Sequence, residues 1–325
     1  MHQDLSMERH ELLAEIAEMY YLDKLSQEEI AQKVKLSRPS VSRLLLDARD
    51  HGIVEININR PIPTVPSLEE AVRDSFGLKD VHVLERRGSE DENAIRLMGR
   101  LGAAALTPII VDGMILSLSW GTAVHGVIQA LRPRRLPGVK VVQMIGGIGA
   151  PYRSIDGPEQ CRKAAEILGA QHYYLNAPIM VDNAEVAIAL RNDHSIREVL
   201  ELARQSDIAL MGIGSTNPEV STQYHSGYIT FEDLRRLEKL GAVGSMSASF
   251  FDVMGNSVHA GWIDACTIGV NQADMDRFGT VIAVAGGRRK APAIVGAVRT
   301  GIVDILITDD SAAQDMLTLA SKQAP

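Results

Sequence analysis

The sequence has few cysteines and no long hydrophobic run. Of its 325 residues only Cys161 and Cys266 are cysteine, and neither lies in a Cys-x-x-Cys or Cys/His spacing. This pattern favours reduced, buried thiols over a disulfide framework or a zinc site. The apolar stretch over 109–120 is interrupted by Asp112 and Gly113 and is too short to span a bilayer. The polar N-terminus also lacks the apolar core of a secretory peptide, so we expect a cytoplasmic protein without metal or membrane partners.

The sequence also lacks an excess of positive charge. Its net charge is −8, which argues against a protein that coats nucleic acid without specificity. Positive charge is instead concentrated in one short segment over 33–49, where Asp47 is the sole acidic residue and the basic residues are Lys33, Lys35, Arg38, Arg43 and Arg49. A local basic surface of this kind is compatible with reading DNA.

The first sixty residues have helical periodicity in three segments. Apolar residues recur at helical spacing over 8–22, Ser26 can cap a second helix that ends near Val34, and Ser37 can cap a third. Ala31 supplies the small side chain that two crossing helices need. His51-Gly52 ends the third helix, and residues 54–59 alternate as a strand. This order predicts a winged helix-turn-helix DNA-binding domain over 1–58.

The outer face of the third helix is polar and basic, as in a recognition helix that enters the major groove. The candidate DNA-binding residues are Gln27, Ser37, Arg38, Ser40, Ser42 and Arg43. The alternative is a three-helix dimerisation or adaptor module, in which this face is merely solvated. The turn commonly has glycine at the position of Lys35, where a left-handed backbone costs another residue roughly 1 kcal/mol.

Residues 59–67 include Pro61, Pro63 and Pro66, and such a segment predicts a stiff interdomain linker. Over 68–325, β-branched runs alternate with helical segments, which predicts a mostly parallel α/β sheet covered on both faces. The predicted strands are 81–84, 114–118, 139–144, 172–175, 208–211, 281–285 and 304–307.

Four glycine-rich loops lie between a predicted strand and a predicted helix. There, free backbone N–H groups and a helix dipole can bind an anion, although glycine also serves tight turns without any ligand. No loop has the dinucleotide-binding fingerprint or a Walker A sequence, so we expect no cofactor. The loops are Ser119-Trp120-Gly121-Thr122, Gly146-Gly147-Ile148-Gly149, Gly212-Ile213-Gly214-Ser215-Thr216 and Gly286-Gly287-Arg288-Arg289-Lys290.

Several motifs are spread in order over nearly the whole chain. They are Tyr20-Tyr21, Gln27-Glu28-Glu29-Ile30-Ala31, Ser37-Arg38-Pro39-Ser40-Val41-Ser42-Arg43-Leu44-Leu45, Ala48-Arg49-Asp50-His51-Gly52-Ile53-Val54, Ser119-Trp120-Gly121, Gly146-Gly147, Gly241-Ala242-Val243-Gly244, Phe250-Phe251-Asp252, Ala285-Gly286-Gly287 with Lys290, and Leu306-Ile307-Thr308-Asp309. Together these motifs resemble the SorC family of sugar-responsive bacterial transcriptional regulators (SorC/DeoR type).

The resemblance implies an effector domain similar in fold to sugar-phosphate isomerases, used for sensing, in a homodimer or homotetramer. By position, Gly121 and Thr122 would hold a phosphate and Lys290 would contact the effector. The remaining candidate effector-binding residues are Ser119, Gly146, Gly147, Gly212 and Asp252, with Asp156 and Gln160 on a segment that closes over the ligand. Two positions depart from the family: Ala123 replaces a common Thr, and Ser245 replaces a common acidic residue.

We therefore predict a regulator of a carbohydrate or polyol catabolic operon, in which a small phosphorylated sugar or polyol modulates binding to double-stranded operator DNA. The alternative is a sugar-phosphate isomerase-like enzyme with an appended DNA-binding domain. Its acid/base candidates are His125, His259, Asp252 and the pair Asp309-Asp310. Local hydrogen bonding of the histidines, and capping of the last helix by Asp309 or Ser311, explain these residues better.

Overall fold

The computed structural model describes residues 7–54, 61–88, 91–149, 154–247 and 249–322. The chain divides into two compact units, Met1–Pro61 and Ile62–Pro325. Within the described residues, no helix is long and apolar enough to cross a membrane.

The first unit contains three helices: α1 (Met7–Tyr21), α2 (Gln27–Val34) and α3 (Arg38–Asp50). Ser26 and Glu29 form a reciprocal capping box at the start of α2, and the Ser37 hydroxyl accepts a hydrogen bond from the backbone N–H of Ser40 at the start of α3. These caps fix the two helix starts that the sequence predicts. The predicted strand over 54–59 lies outside the described residues, except for Val54.

One small core holds these three helices together. Each helix contributes one apolar stripe, and the buried residues are Leu13, Ile16, Ala17, Met19, Ile30, Ala31, Val41, Leu44, Leu45 and Ala48. Because these residues point inward, the opposite face of α3 is left to solvent.

The second unit is an α/β structure. Its helices are α4 (Pro66–Phe76), α5 (Asp91–Ile109), α6 (Thr122–Ala130), α7 (Gly157–Leu168), α8 (Ala184–Asn192), α9 (His194–Ala203), α10 (Thr222–His225), α11 (Phe231–Lys239), α12 (Trp262–Cys266), α13 (Gln272–Met275), α14 (Ala291–Arg299) and α15 (Asp310–Lys322). Its strands are β1 (Asp80–Leu84), β2 (Ile115–Leu118), β3 (Lys140–Gln143), β4 (Gln171–Tyr173), β5 (Ile208–Gly212), β6 (Gly214–Ser215), β7 (Ala242–Met246), β8 (Ser249–Asp252), β9 (Ser257–Val258), β10 (Thr280–Val284) and β11 (Ile305–Asp309).

Seven of these strands form a parallel sheet in the order β1-β11-β10-β5-β2-β3-β4 among the described residues. They are the seven strands that the β-branched runs predict, so the mostly parallel α/β prediction is confirmed. Apolar side chains alternate between two separate cores, one on each side of the sheet. Burial of both sheet faces explains why these strands have nearly continuous apolar sequences.

The order of the strands reverses between β2 and β5. From β2 the chain moves through β3 to the edge strand β4, then returns to β5 on the other side of β2 and continues outward through β10 and β11. In open α/β sheets, ligands bind at the carboxyl ends of the strands where the order reverses. The topology therefore points to the loops that follow β2 and β5.

A second sheet, which the sequence analysis missed, is antiparallel with the strand order β6-β7-β8-β9. Two of its strands are two residues long, and β7 contains Gly244 and Ser245, which interrupt an alternating apolar pattern. Helix α11 covers this sheet through a small core of its own, which includes Leu234, Leu237 and Phe250.

The C-terminal part of the predicted linker belongs to the second unit. The Val65 N–H donates to the Val83 carbonyl oxygen at 2.9 Å, and the Pro63 carbonyl accepts from the Glu85 N–H, also at 2.9 Å. Pro66 then begins α4. These hydrogen bonds attach Pro63 and Val65 to β1 and the residue after it, and the linker bounds of 59–67 stay a prediction.

Candidate functional site

The turn between α2 and α3 has the backbone geometry of a helix-turn-helix. Lys35 ends α2 in a left-handed conformation with φ 54° and ψ 39°, and its N–H donates to the Ala31 carbonyl. A left-handed residue at this position reverses the chain within a few residues. Lys35 thus occupies the left-handed position that the sequence analysis identifies. Its Cβ atom makes this backbone conformation less favourable than it would be for glycine.

Three arginines of α3 are exposed, and two of them, Arg38 and Arg43, are candidate DNA-binding residues. Within the described residues neither arginine forms an ion pair or a side-chain hydrogen bond. Arg38 is the first residue of α3, whose first turn contains no acidic side chain. A cation at the positive end of a helix dipole is unfavourable unless an anion binds there, and DNA phosphate is such an anion.

The other candidate DNA-binding residues lie near these arginines in the sequence and differ in burial and in hydrogen bonding. Ser37 and Ser40 hydrogen-bond to each other through their hydroxyls at 2.7 Å, so both serve the start of α3. Ser42 is half-buried on α3, and Gln27 is half-buried at the start of α2. Asp47 is paired with Arg9 of α1 at 2.7 Å.

In the second unit a cleft opens where the strand order reverses. Its walls are built by Ser119 to Ala123 after β2, Gly212 to Ser215 after β5, and Lys290 after β10. The Ser119 hydroxyl accepts a hydrogen bond from the Gly212 N–H at 3.3 Å, which ties the ends of the two strands together. The cleft encloses about 590 Å³ of empty space, including the part open to solvent.

Apart from Lys290, the described side chains of the cleft wall are uncharged, and many of them carry hydroxyl groups. Trp120 and Gln223 contribute an indole and an amide, and Lys290 is the one charged side chain among the described residues of the wall. Hydroxyls line the rest of its polar surface, from Ser119, Thr122, Ser215, Ser221, Thr222, Ser245 and Ser247.

Lys290 is a desolvated cation. Its Nζ donates to the Ile213 carbonyl oxygen at 3.1 Å, and no carboxylate pairs with it among the described residues. Burial lowers the pKa of Lys290 below the usual lysine value. A buried ammonium without a counter-charge is unfavourable, so the arrangement favours an anionic ligand.

The first turn of α6 faces the same cleft. Gly121 precedes the helix with φ 120°, a conformation open to glycine, and provides no side-chain cap. Thr122 and Ala123 follow as the first helical residues and line the cleft. Free N–H groups of a first helical turn are donors for an anion, and the Thr122 hydroxyl adds another.

Other predicted effector residues lie behind the cleft. Gln160 donates its side-chain amide to the carbonyl oxygens of Gly121 at 3.2 Å and Ile155 at 2.7 Å. The Asp156 carboxylate accepts from the N–H groups of Ile148 and Gly149 at 2.7 and 3.1 Å. These contacts brace the glycine loops. Closure of this segment over a ligand stays a prediction, because residues 150–153 lie outside the described part of the chain.

Gly146 and Gly147 are packing positions in this structure and are not part of the cleft wall. A Cβ atom on Gly146 would lie 2.3 Å from the Pro178 carbonyl oxygen, so two backbone segments approach each other too closely for any side chain. Their N–H groups donate to the carbonyls of Ile268 and Ala177, and are therefore not free for a ligand.

Asp252 is likewise absent from the cleft wall. Its carboxylate accepts from the N–H groups of Met254 and Asn256 at 2.8 and 2.9 Å, and from the Asn256 side-chain amide at 3.0 Å. These bonds close the tight turn between β8 and β9. The carboxylate of Asp252 thus has a structural role in this turn, and its contact with an effector stays a prediction.

The acid/base candidates of the enzymatic alternative do not converge. His125 lies on α6 beside Gln129, and burial lowers its pKa, with the charge of Lys163 lowering it further. Asp309 accepts hydrogen bonds from the N–H groups of Gly287 and Ala312 and from the Ser311 hydroxyl, so it caps α15. Among the described residues, no three His, Cys, Asp or Glu side chains are grouped to hold a metal.

Sequence reasoning missed the part of the cleft wall that lies near the antiparallel sheet. Gln223 and Ser247 gave no signal, because they belong to segments around the antiparallel sheet that carry no glycine-loop motif. Ser245 did give one, since it stands where the family resemblance expects an acid, and the structure places this neutral residue on the wall.

The fold and the site together define a transcriptional regulator that couples a DNA-binding unit to a small-molecule sensor. The sequence profile described as "Putative sugar-binding domain" matches residues 61–318. The deoxyribonucleoside regulator of Bacillus subtilis (strain 168) is 32% identical over 313 residues, which cover 96% of this chain and 99% of the relative. The transcriptional regulator LsrR of Enterobacter sp. (strain 638) is 32% identical over 321 residues, covering 97% and 95%.

A solved structure extends this similarity to the whole chain. The crystal structure of the full-length sorbitol operon regulator SorC from Klebsiella pneumoniae matches with a TM-score of 0.72 and 27% identity, and the match covers 95% of this chain and 99% of that one. The chain belongs to the SorC family of transcriptional regulators. These relatives are named as regulators and not as enzymes, which removes the support for the isomerase-like alternative.

Proposed function

We propose that the protein is a cytoplasmic regulator of a carbohydrate or polyol operon whose binding to double-stranded operator DNA is modulated by a small phosphorylated sugar or polyol. The first unit, with its predicted extent of 1–58, binds DNA, and the second binds the effector. The observation that carries the proposal is the ammonium of Lys290, which lies in a hydroxyl-lined cleft without a carboxylate partner among the described residues.

The anionic part of the effector is bound by Lys290 and by the first turn of α6. The Lys290 ammonium supplies a full charge, and the N–H groups near Thr122 supply the positive end of a helix dipole. Charge-assisted hydrogen bonds of this kind contribute roughly 1.5–3 kcal/mol each. A phosphate group offers enough oxygen atoms to accept from both sources at once.

The hydroxyl groups of the effector are bound by the serines and threonines of the wall. Thr222, Gln223 and Ser245 have no side-chain hydrogen bond within the described residues, so their polar groups are available to a ligand. Hydroxyl and amide groups each donate and accept, which matches the mixed requirements of a sugar or polyol.

DNA binding requires more than one copy of the chain. A single helix-turn-helix neutralises few phosphates, and the net charge of −8 opposes association with DNA. We therefore propose a homodimer or homotetramer, which places two recognition helices on one operator. Light scattering at micromolar concentration tests this proposal. A monomer that binds the operator with full affinity contradicts it.

The decisive experiment titrates effectors into a protein–operator complex and follows fluorescence anisotropy. The duplex is selected from a random pool by the wild-type protein, and the panel pairs sugar and polyol monophosphates with their unphosphorylated counterparts. We expect a monophosphate to shift operator binding, and Lys290→Ala to require about ten times more of it. Lys239→Ala, which removes an exposed lysine of α11, should behave as wild type.

Two outcomes would contradict the proposal. Superimposed titration curves for wild type and Lys290→Ala would remove Lys290 from the effector site. Loss of operator binding by Lys290→Ala without any effector would show that Lys290 is needed for folding or assembly, since a ligand regulates only through unequal binding to two states.

A further inference from the structure

Ser247 is an unusual residue on the cleft wall. It follows β7 in a left-handed backbone conformation with φ 49°, which is unfavourable for a residue with a Cβ atom. Its hydroxyl oxygen is inaccessible to solvent and has no hydrogen-bond partner among the described residues. A buried hydroxyl without a partner lowers stability, so its retention calls for a partner that arrives from outside the chain.

Ser247 and Gln223 share a second distinction. Both residues line the cleft, and both also line a smaller neighbouring cavity, whose other walls are largely apolar and include Met180, Phe250 and Ile263. Lys290 lines the cleft but not this smaller cavity. Ser247 and Gln223 therefore form the polar border at a part of the cleft that is distinct from the ammonium.

No charged side chain lines this border or the smaller cavity among the described residues. A carboxylate or phosphate placed there would be desolvated without a counter-charge, which is strongly unfavourable. A hydroxyl or carbonyl group would instead exchange hydrogen bonds with the Ser247 hydroxyl and the Gln223 amide, both of which donate and accept.

We propose that Ser247 and Gln223 form a neutral subsite that binds an uncharged hydroxyl or carbonyl group of the effector. The inference rests on the proposed effector function and narrows its ligand class. The effector carries one anionic group, bound near Lys290, and an uncharged oxygen at the Ser247 border. The site selects monophosphates of sugars or polyols against phosphorylated sugar acids, which would place a carboxylate at the Ser247 border.

Calorimetric titration of the full-length protein tests the subsite with three kinds of probe. They are inorganic phosphate, a panel of monophosphates (ribose 5-phosphate, fructose 6-phosphate and glucitol 6-phosphate) and 6-phosphogluconate. We expect the sugar acid to bind at least tenfold more weakly than the tightest monophosphate. Ser247→Ala should weaken that monophosphate about fivefold or more and leave inorganic phosphate unchanged.

Two further variants separate ligand binding from folding. Ser247→Gly removes the hydroxyl and also relieves the left-handed backbone, so it should lose the same affinity while keeping or raising Tm. Ser257→Ala removes an exposed hydroxyl from β9 of the same sheet and should bind every probe as wild type does.

The outcomes distinguish this inference from the proposed function. If Lys290→Ala weakens the monophosphate but Ser247→Ala does not, the subsite is wrong and the effector function stands. An equal loss of affinity for inorganic phosphate in Ser247→Ala, or a preference for the sugar acid, also overturns the subsite. If no probe binds the wild-type protein, both proposals fail.

Discussion

Gln160 donates its side-chain amide to the carbonyl oxygen of Gly121, the residue that precedes the first turn of α6, at 3.2 Å. The same amide binds the Ile155 carbonyl, and the Gly121 N–H donates back to that carbonyl at 3.1 Å. Gln160 is almost completely buried and is not part of the cleft wall. It therefore acts on the effector site by holding the loop that presents Thr122.

Replacing Gln160 with leucine keeps the volume of the side chain and removes both hydrogen bonds. We expect the free energy of unfolding to fall by roughly 1–3 kcal/mol, because two buried carbonyl groups lose a donor. Effector affinity should also fall at a temperature where the variant is fully folded, since the Gly121 loop loses its support. Denaturant unfolding and calorimetric titration measure the two effects.

Gln129→Ala is the matched control, because Gln129 lies exposed on α6 itself. It should change neither stability nor effector affinity appreciably. Wild-type effector affinity in a folded Gln160→Leu protein would show that Gln160 supports the fold alone and does not position the effector loop.

Arg38 and Arg43, two of the exposed arginines of α3, should carry DNA affinity. We expect Arg38→Ala and Arg43→Ala each to weaken operator binding by about 1–3 kcal/mol if the arginine contacts a base. A phosphate contact would instead reduce the slope of log affinity against log salt by about one unit. Anisotropy titrations at several salt concentrations separate these two roles.

Arg236→Ala provides the control, because Arg236 is an exposed arginine of α11 that pairs with Glu232 at 2.6 Å. Its removal changes the net charge by the same amount without touching α3. Operator affinity that survives both α3 substitutions would remove this helix from the major groove and favour the adaptor-module interpretation.

The parallel sheet could be predicted from sequence because the apolar pattern of each strand lies within a few consecutive residues. Strands such as β5 and β10 are buried on both faces, so their sequences are nearly continuous apolar runs. Exposed segments do not have such runs. The helix starts in the first unit were equally accessible, since Ser26 and Ser37 satisfy the free N–H groups of the residues that follow them.

The cleft could be predicted only in part because its far wall is assembled by tertiary structure. Gly121 and Lys290 follow strands of the main sheet, and strand ends are visible in sequence. Ser247 follows the short antiparallel strand β7, and Gln223 lies on the four-residue helix α10. Their approach to the cleft depends on contacts between distant residues. Asp252 is the converse case, because the carboxylate of a recognisable motif closes a turn here and is not on the cleft wall, so its effector contact stays a prediction.

Lys35 offers a test of backbone strain. Lys35→Gly should raise the free energy of unfolding of the first unit by about 1 kcal/mol, because glycine adopts the left-handed conformation without the steric cost of a Cβ atom. Hydrogen exchange of the α2 and α3 amides in the intact chain measures this change in the free energy of unfolding.

The same substitution at Lys33 should have the opposite sign. Lys33 lies within α2, where glycine costs about 1 kcal/mol relative to good helix formers. Equal destabilisation by Lys35→Gly and Lys33→Gly would contradict the left-handed turn between α2 and α3.

The last prediction concerns the pH dependence of effector binding, which follows from the lowered pKa of Lys290. In the effector-free protein, burial lowers the pKa of Lys290 and so favours the neutral amine. A bound anion stabilises the ammonium and raises this pKa. Binding therefore takes up a proton at any pH at which the free protein has partly lost it. By linkage, effector affinity falls as the pH rises through the lowered pKa of the free protein.

Folding stability without effector should move in the opposite direction. The folded chain binds fewer protons at Lys290 than the unfolded chain does between the lowered pKa and the usual lysine value, so this residue contributes more to stability as the pH rises through that window. Titration calorimetry in two buffers of different ionisation enthalpy measures the proton uptake, and denaturant unfolding across the same pH range measures the stability. Lys290→Met should abolish both dependences, while Lys239→Met should keep them. Effector affinity that is independent of pH in the wild type, up to the pH at which ordinary lysines titrate, would show that the anion does not bind at Lys290.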